Sequence, residues 1–188
     1  MSSAADERVR VAEAVSLLNS KYGRKSQATA EAVPVAVGRI LLALGEFMEC
    51  VRYLNTRRSS TVLTLDSEAA VQDAIYLMLR PWVLDLVCEN PTERIAASRY
   101  SIKDFLSKSA KTVIEAKFIR DAAHGKSITK ELHDDIETYR SHAHCENLIF
   151  FIYDPDARIP DKAALERQIV VARTYDGVAL TCHLIVRP

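Results

Sequence analysis

Little in this chain is repeated, clustered or one-sided. Of its 188 residues only five are glycine, so no glycine-rich loop that cradles phosphates stands out. The four cysteines, Cys50, Cys88, Cys145 and Cys182, lie far apart and never form a C-x-x-C pair. That spacing argues against a structural zinc site and against a disulfide-dense secreted scaffold, and it fits reduced thiols in a cytoplasm. The 25 Lys+Arg are balanced by 25 Asp+Glu, so no global field draws in a polyanion. The most apolar stretch, Ala32 to Val51, is broken by Arg39, Glu46 and Glu49, and the N-terminus lacks a basic region followed by an apolar one. Neither a membrane span nor a secretory signal is expected.

What is present suffices for an ordinary core. At 48% hydrophobic and 27% charged residues the composition excludes disorder for most of the chain and suits one domain, or one domain with an appendage. Glu7 to Asn19 has helical spacing through Val11, Val15 and Leu18, and the polar stretch Asn19 to Ala30 reads as a connector. From Pro34 a longer helix is predicted, with Val37, Leu41, Leu44, Met48, Val51 and Leu54 on one stripe, ending at the polar break Asn55 to Thr61. Residues 1–60 therefore read as a helical hairpin, an appendage for packing or dimerisation, and 61–188 as the main domain.

The main domain opens with a helix over Asp66 to Leu79, capped by Asp66 or Ser67 and ended or kinked by Pro81. Short apolar runs follow as candidate strands: Val83 to Cys88, Tyr100 to Leu106, Thr112 to Ile119, Leu148 to Tyr153 and Val178 to Val186. Helices are predicted over Ile128 to His142 and Lys162 to Ile169, and Asp176-Gly177 marks a hairpin turn. This order implies an α/β (α+β) fold: a mixed sheet flanked by helices.

Period-two alternation along Thr112 to Ile119 puts Glu115 and Lys117 on one face and Ile114, Ala116 and Phe118 on the other. Asp104 precedes Glu115 by eleven positions, so a hairpin pairing brings the two carboxylates together. Two carboxylates beside a lysine suit Mg²⁺, with Mn²⁺ as a substitute, in phosphodiester cleavage: hard oxygens hold the ion, and the lysine orients or deprotonates the attacking water. Taken alone, E-x-K on a strand is a weak signal, common on solvated sheet faces.

The surrounding motifs add to it. Ser98-Arg99-Tyr100-Ser101-Ile102-Lys103-Asp104-Phe105-Leu106, followed by Thr112-Val113-Ile114-Glu115-Ala116-Lys117, resembles the D…E-x-K core of the PD-(D/E)XK restriction-endonuclease-like nucleases, and more narrowly their DpnII/MboI-type bacterial branch. Ser67 to Asp73 resembles that branch's helical E-x-x-x-Q-D element; Leu132, Asp135, Ile136 and Tyr139 resemble its L-x-x-D-I-x-x-Y helix; Asn147 to Pro155 resembles its strand ending in Y-D-P. The likeness covers Leu63 to Pro188. It implies a restriction-endonuclease-like core, Asp104, Glu115 and Lys117 as catalytic residues, Glu68 as a further metal ligand and Gln72 in support. Two departures stand out: Ile102-Lys103 replaces the proline-containing element before Asp104, and the Glu89 to Ala97 loop lacks glycines and aromatics.

Other features divide between roles. From Arg99 to Lys130 there are eight Lys/Arg against three acids, a local net charge of +5. Arg99, Lys108, Lys111, Arg120, Lys126 and Lys130 make either a nucleic-acid backbone surface or ordinary solvated edges blunted by lysine. Aromatic interleaving is thin, with Tyr100 and Phe118 alone nearby. His142-x-His144-Cys145 is half a zinc site without a second half, or a basic end to a helix; His183 reads as a half-buried sheet residue.

The expected function is a Mg²⁺-dependent endonuclease acting on phosphodiester bonds, of DNA rather than RNA, in bacterial restriction or phage defence. The alternative is a catalytically silent nuclease fold that docks a partner protein through its N-terminal helices. The Val37 to Leu54 stripe either folds back on the chain's own sheet or pairs two copies as a homodimer.

Overall fold

A computed structural model describes residues 37–56, 62–88, 104–175 and 177–188. The helix expected over Glu7 to Asn19, the connector after it, the first residues of the Tyr100 strand, Ser98, Arg99, the Glu89 to Ala97 loop and Asp176 lie outside the described residues. The described residues belong to one compact unit, Pro34–Pro188.

Five helices are described, α1 (Val37–Gly45), α2 (Phe47–Thr56), α3 (Glu68–Leu79), α4 (Ala122–Tyr139) and α5 (Lys162–Ile169). They flank six strands, β1 (Leu86–Cys88), β2 (Phe105–Ser107), β3 (Thr112–Phe118), β4 (Asn147–Tyr153), β5 (Arg173–Tyr175) and β6 (Val178–Arg187), in the order β1-β2-β3-β4-β6-β5. β1, β2 and β3 pair antiparallel, β3, β4 and β6 pair parallel, and β5 closes the far edge antiparallel to β6. This is the expected mixed sheet between helices. Strand β4, Asn-Leu-Ile-Phe-Phe-Ile-Tyr, is apolar on both faces because it is central and covered on both sides. Gly177 supplies the hairpin turn before β6 with φ of 81°, a conformation that other residues adopt at a cost.

The core has two halves, one on each face of the sheet. Ile114 and Ala116 of β3 and Ile149 and Phe151 of β4 meet Val71, Ile75 and Leu79 of α3 and Ile40, Leu44, Phe47 and Val51 of the first two helices. Val113 of β3 and Leu148, Phe150 and Ile152 of β4 meet Ile128, Leu132, Ile136 and Tyr139 of α4 and Leu165 and Ile169 of α5.

The sequence reading needs three corrections. The helix predicted from Pro34 is two helices broken at Glu46, and an Arg187 Nη2–H donates to the Gly45 carbonyl at the break, 2.9 Å away. Its inward face is Ile40, Leu44, Phe47 and Val51, which shares Leu44 and Val51 with the predicted stripe and has Ile40 and Phe47 in place of Leu41 and Met48, and it covers the chain's own sheet. Residues 37–56 pack into the core of this unit. The third correction is at α4, which begins at Ala122 and not at Ile128. Its N-cap is Asp121, whose carboxylate accepts the His124 N–H at 2.8 Å.

Candidate active site

Each strand residue of the predicted centre is positioned by the β2–β3 hairpin. The register pairs Phe105 with Ile114, and one further step places Asp104 opposite Glu115. There Asp104 Oδ2 accepts the Ala116 backbone N–H at 2.6 Å and the carboxylate also receives the Gln72 side chain from α3. Glu115 and Asp104 are both buried. Lys117, two residues on and therefore on the same face as Glu115, puts its Nζ 3.9 Å from Glu115 Oε2 and 3.2 Å from Asp135 Oδ2. The Tyr139 hydroxyl donates to Glu115 Oε1.

Burial governs the electrostatics. Asp104 is pushed up to about 6 by desolvation, against the lowering effects of the Ala116 N–H, Gln72 and the Lys117 charge. Glu115 is pushed up to about 8, first by desolvation and then by the neighbouring Asp104 charge. Lys117 is opposite: burial acts to lower it, yet the charges of Asp135 and Glu115 outweigh burial and hold the ammonium above the usual lysine range. Two buried carboxylates therefore face one ammonium that a third carboxylate also claims. A hard divalent cation is the countercharge that this oxygen pair fits.

Lys117 opens onto a cleft of about 540 Å³ between the N-terminal turn of α3 and the start of α4, lined by Asp66, Ser67, Glu68, Phe118, Arg120 and His124 among others. Glu68 is at its rim, and its charge reaches both Asp104 and Lys117. Among the described residues no three of His, Cys, Asp and Glu are grouped as a metal centre.

Comparison with known families gives a relationship: the DpnII-MboI model, REase_DpnII-MboI, matches residues 38–183. The chain belongs to the DpnII-MboI restriction endonuclease family. Membership places it among endonucleases, hydrolases of phosphodiester bonds in DNA. The match begins at α1, which agrees with the packing of α1 and α2 into the core. The chain matches no curated protein and no solved structure. Among the described residues no helix is long and apolar enough to cross a membrane.

The described basic residues are spread over several elements. Arg120 lines the cleft, and its backbone is held at both ends: its N–H donates to His124 Nδ1 at 3.4 Å, and its carbonyl accepts from Arg158 Nη1. Lys126 and Lys130, four apart and exposed, occupy the side of α4 away from Ile128 and Leu132. Lys108 and Lys111 are at the hairpin end of β3, about 20 Å along the strand from Lys117, and Lys111 pairs with Glu146. Arg99 lies outside the described residues. His142, His144 and Cys145 gather no further ligand into a metal centre among the described residues. His183 is half-buried in β6, its Nε2 3.3 Å from Asn147 Oδ1.

Sequence reasoning assigned no function to Asp135 and Tyr139, although it quoted both within the L-x-x-D-I-x-x-Y helix. The available signal was an Asp within an otherwise apolar stripe, four residues before a Tyr on the same face.

Proposed function

We propose that this chain is a Mg²⁺-dependent DNA endonuclease, with Mn²⁺ able to substitute, acting in bacterial restriction or phage defence. The observation that carries the reading is the buried Asp104–Glu115 carboxylate pair across adjacent strands, with Lys117 projecting beside it. When bound there, the divalent cation supplies Lewis acidity toward the scissile phosphate. Asp104 and Glu115 hold it, and the Ala116 N–H and Gln72 fix the Asp104 carboxylate for that task. Lys117, kept as a cation by its carboxylate neighbours, donates hydrogen bonds to the attacking water and offsets charge gathering on the phosphate oxygens. A group whose ammonium form is favoured in this way serves as a donor and not as a base. Glu68 accepts a hydrogen bond from water at the rim, and Arg120 meets a phosphate of the DNA backbone in the same cleft.

The test is cleavage of plasmid and of single-stranded nucleic acids by the purified chain with Mg²⁺ or Mn²⁺, alongside Asp104→Ala and Lys117→Ala. Cutting by the wild type that falls at least about a hundredfold in both variants is expected. Undiminished cutting in either variant overturns the residue assignment. A wild type that cuts nothing with either metal overturns the enzyme reading in favour of the silent binding subunit.

A further inference from the structure

Helix α4 lays two polar side chains on the charged face of β3, and each meets a different member of the Glu115-x-Lys117 pair. The Tyr139 hydroxyl donates to Glu115 Oε1, and Asp135 Oδ2 is 3.2 Å from Lys117 Nζ. The spacing makes this double contact possible. Four residues of helix advance about 6 Å, and two residues of strand advance about 6.6 Å. The contacts run in opposite order along the two elements, Glu115 to Tyr139 and Lys117 to Asp135, so the helix lies antiparallel to the strand.

Packing alone does not account for Asp135, nor for the hydroxyl that Tyr139 carries into the core. The rest of this helix face is Ile128, Leu132 and Ile136, all buried against the sheet, and a carboxylate in that row carries a desolvation cost. Asp135 is closer to Lys117 than Glu115 is, 3.2 against 3.9 Å, so the strand neighbour alone does not set the position of the ammonium. Asp135 Oδ2 is buried and makes no hydrogen bond of good geometry among the described residues, and it faces the Lys117 ammonium as an ion pair. Tyr139 engages one oxygen of Glu115, Oε1, and Oε2 is the one that faces Lys117.

We infer that α4 is a two-point template for the catalytic strand: Asp135 is a positioning residue that sets where the Lys117 ammonium lies, and Tyr139 one that holds the Glu115 carboxylate by Oε1, with Oε2 toward Lys117, in the orientation that would take a divalent cation. The inference rests on the nuclease reading above and assigns work within it to two side chains that touch neither substrate nor cation.

The experiment compares full-length wild type, Asp135→Asn, Asp135→Glu, Tyr139→Phe and Lys117→Ala in two assays. One is steady-state cleavage at saturating Mg²⁺, giving kcat and KM for DNA; the other is a thermal-shift titration with Mn²⁺ and no DNA. Asp135→Asn is expected to lower kcat about tenfold or more, with KM and the Mn²⁺ midpoint within about twofold of wild type. Asp135→Glu, which keeps the charge, recovers part of that loss. Tyr139→Phe is expected to raise the Mn²⁺ midpoint about fivefold or more. Wild-type kcat in Asp135→Asn together with a dead Lys117→Ala overturns the role of Asp135 and leaves the nuclease reading standing. An unchanged Mn²⁺ midpoint in Tyr139→Phe overturns the role of Tyr139. Equal losses of thermal stability, kcat and Mn²⁺ response in Asp135→Asn and Tyr139→Phe overturn the template in favour of plain packing. Full activity in Lys117→Ala overturns the assignment of Lys117 and with it the role of Asp135, and a wild type that cuts nothing overturns the nuclease reading itself.

Discussion

The two faces of strand β3 are built from alternate residues of the same seven, yet they do opposite things. Toward α1, α2 and α3 it presents Ile114 and Ala116, buried among apolar side chains. Toward α4 it presents Val113, then Glu115 and Lys117, and the helix answers with Tyr139 and Asp135. The first face gains stability from each buried methylene; the second gives some up, because it holds carboxylates away from water. The difference shows how a single strand can carry both the fold and its chemistry: alternation separates them by one residue without separating them in space.

The largest effect that would sharpen this contrast is on the apolar face. Ile149→Ala on β4, at a fully buried site beside Ile114, should cost about 2–5 kcal/mol in urea unfolding while leaving kcat per folded molecule near wild type. A large loss of kcat in the folded variant would mean that the two faces are not independent.

On the charged face the sign reverses. Glu115 has a folded-state pKa of about 8 against 4.5 for the free side chain, so the folded chain binds this proton more tightly than the unfolded one. That contribution to stability is complete below about pH 4.5 and is lost as pH rises through 8. Asp104, raised from 3.8 to about 6, repeats the pattern in a lower window. Metal-free wild type should therefore weaken between pH 5 and 8, and Glu115→Gln should be more stable than wild type at pH 8 by on the order of 2–3 kcal/mol while losing cleavage. Urea unfolding in EDTA at both pH values tests this; equal stability of the two proteins at pH 8 would remove the electrostatic cost from the charged face.

A smaller effect concerns how α4 is seated. A Cβ at Gly125 would lie 2.4 Å from the Arg158 carbonyl oxygen, in the loop whose N–H groups at Arg158 and Ile159 are held by the buried Asp154 carboxylate. Gly125→Ala should cost about 1–3 kcal/mol and lower kcat as well, since α4 carries Asp135 and Tyr139. Thermal melts and steady-state cleavage would show both losses, and an unaffected kcat would uncouple the helix from the site.

The smallest effect separates the two ends of β3. Arg120→Ala should reduce the salt dependence of DNA binding by about one unit of slope, whereas Lys111→Ala should leave the slope unchanged and cost under about 1 kcal/mol of stability from its exposed pair with Glu146. Equal slopes in the two variants would merge the basic residues back into one surface.

These contrasts also show what the residues alone could reveal. The β3 strand, its alternation and the reach of Asp104 to Glu115 follow from period two and a short hairpin, both local properties. The early start of α4 was hidden because Ala122 to Ser127 carries no large apolar residue and includes Gly125, although Asp121 was available as a cap. The stripe of the first two helices was visible, but which sheet it covers is a tertiary fact. The basic run was continuous only along the chain, and an extended strand carries its members to opposite ends. Asp135 and Tyr139 acquire meaning only once a helix is laid over Glu115 and Lys117.

The hairpin contact that fixes Asp104 spans 12 residues and the helix contact that fixes Glu115 spans 24. Closing loops of that size costs the chain little entropy compared with the pairings that reach from α1 to the last strand. The proposed centre thus belongs to the low-contact-order part of the molecule: docking α4 on the β2–β3 hairpin is at once a folding step and the assembly of the site. Glu68 and Gln72, which come from upstream across a longer stretch of chain, join a centre whose main parts are already set by their own neighbourhood.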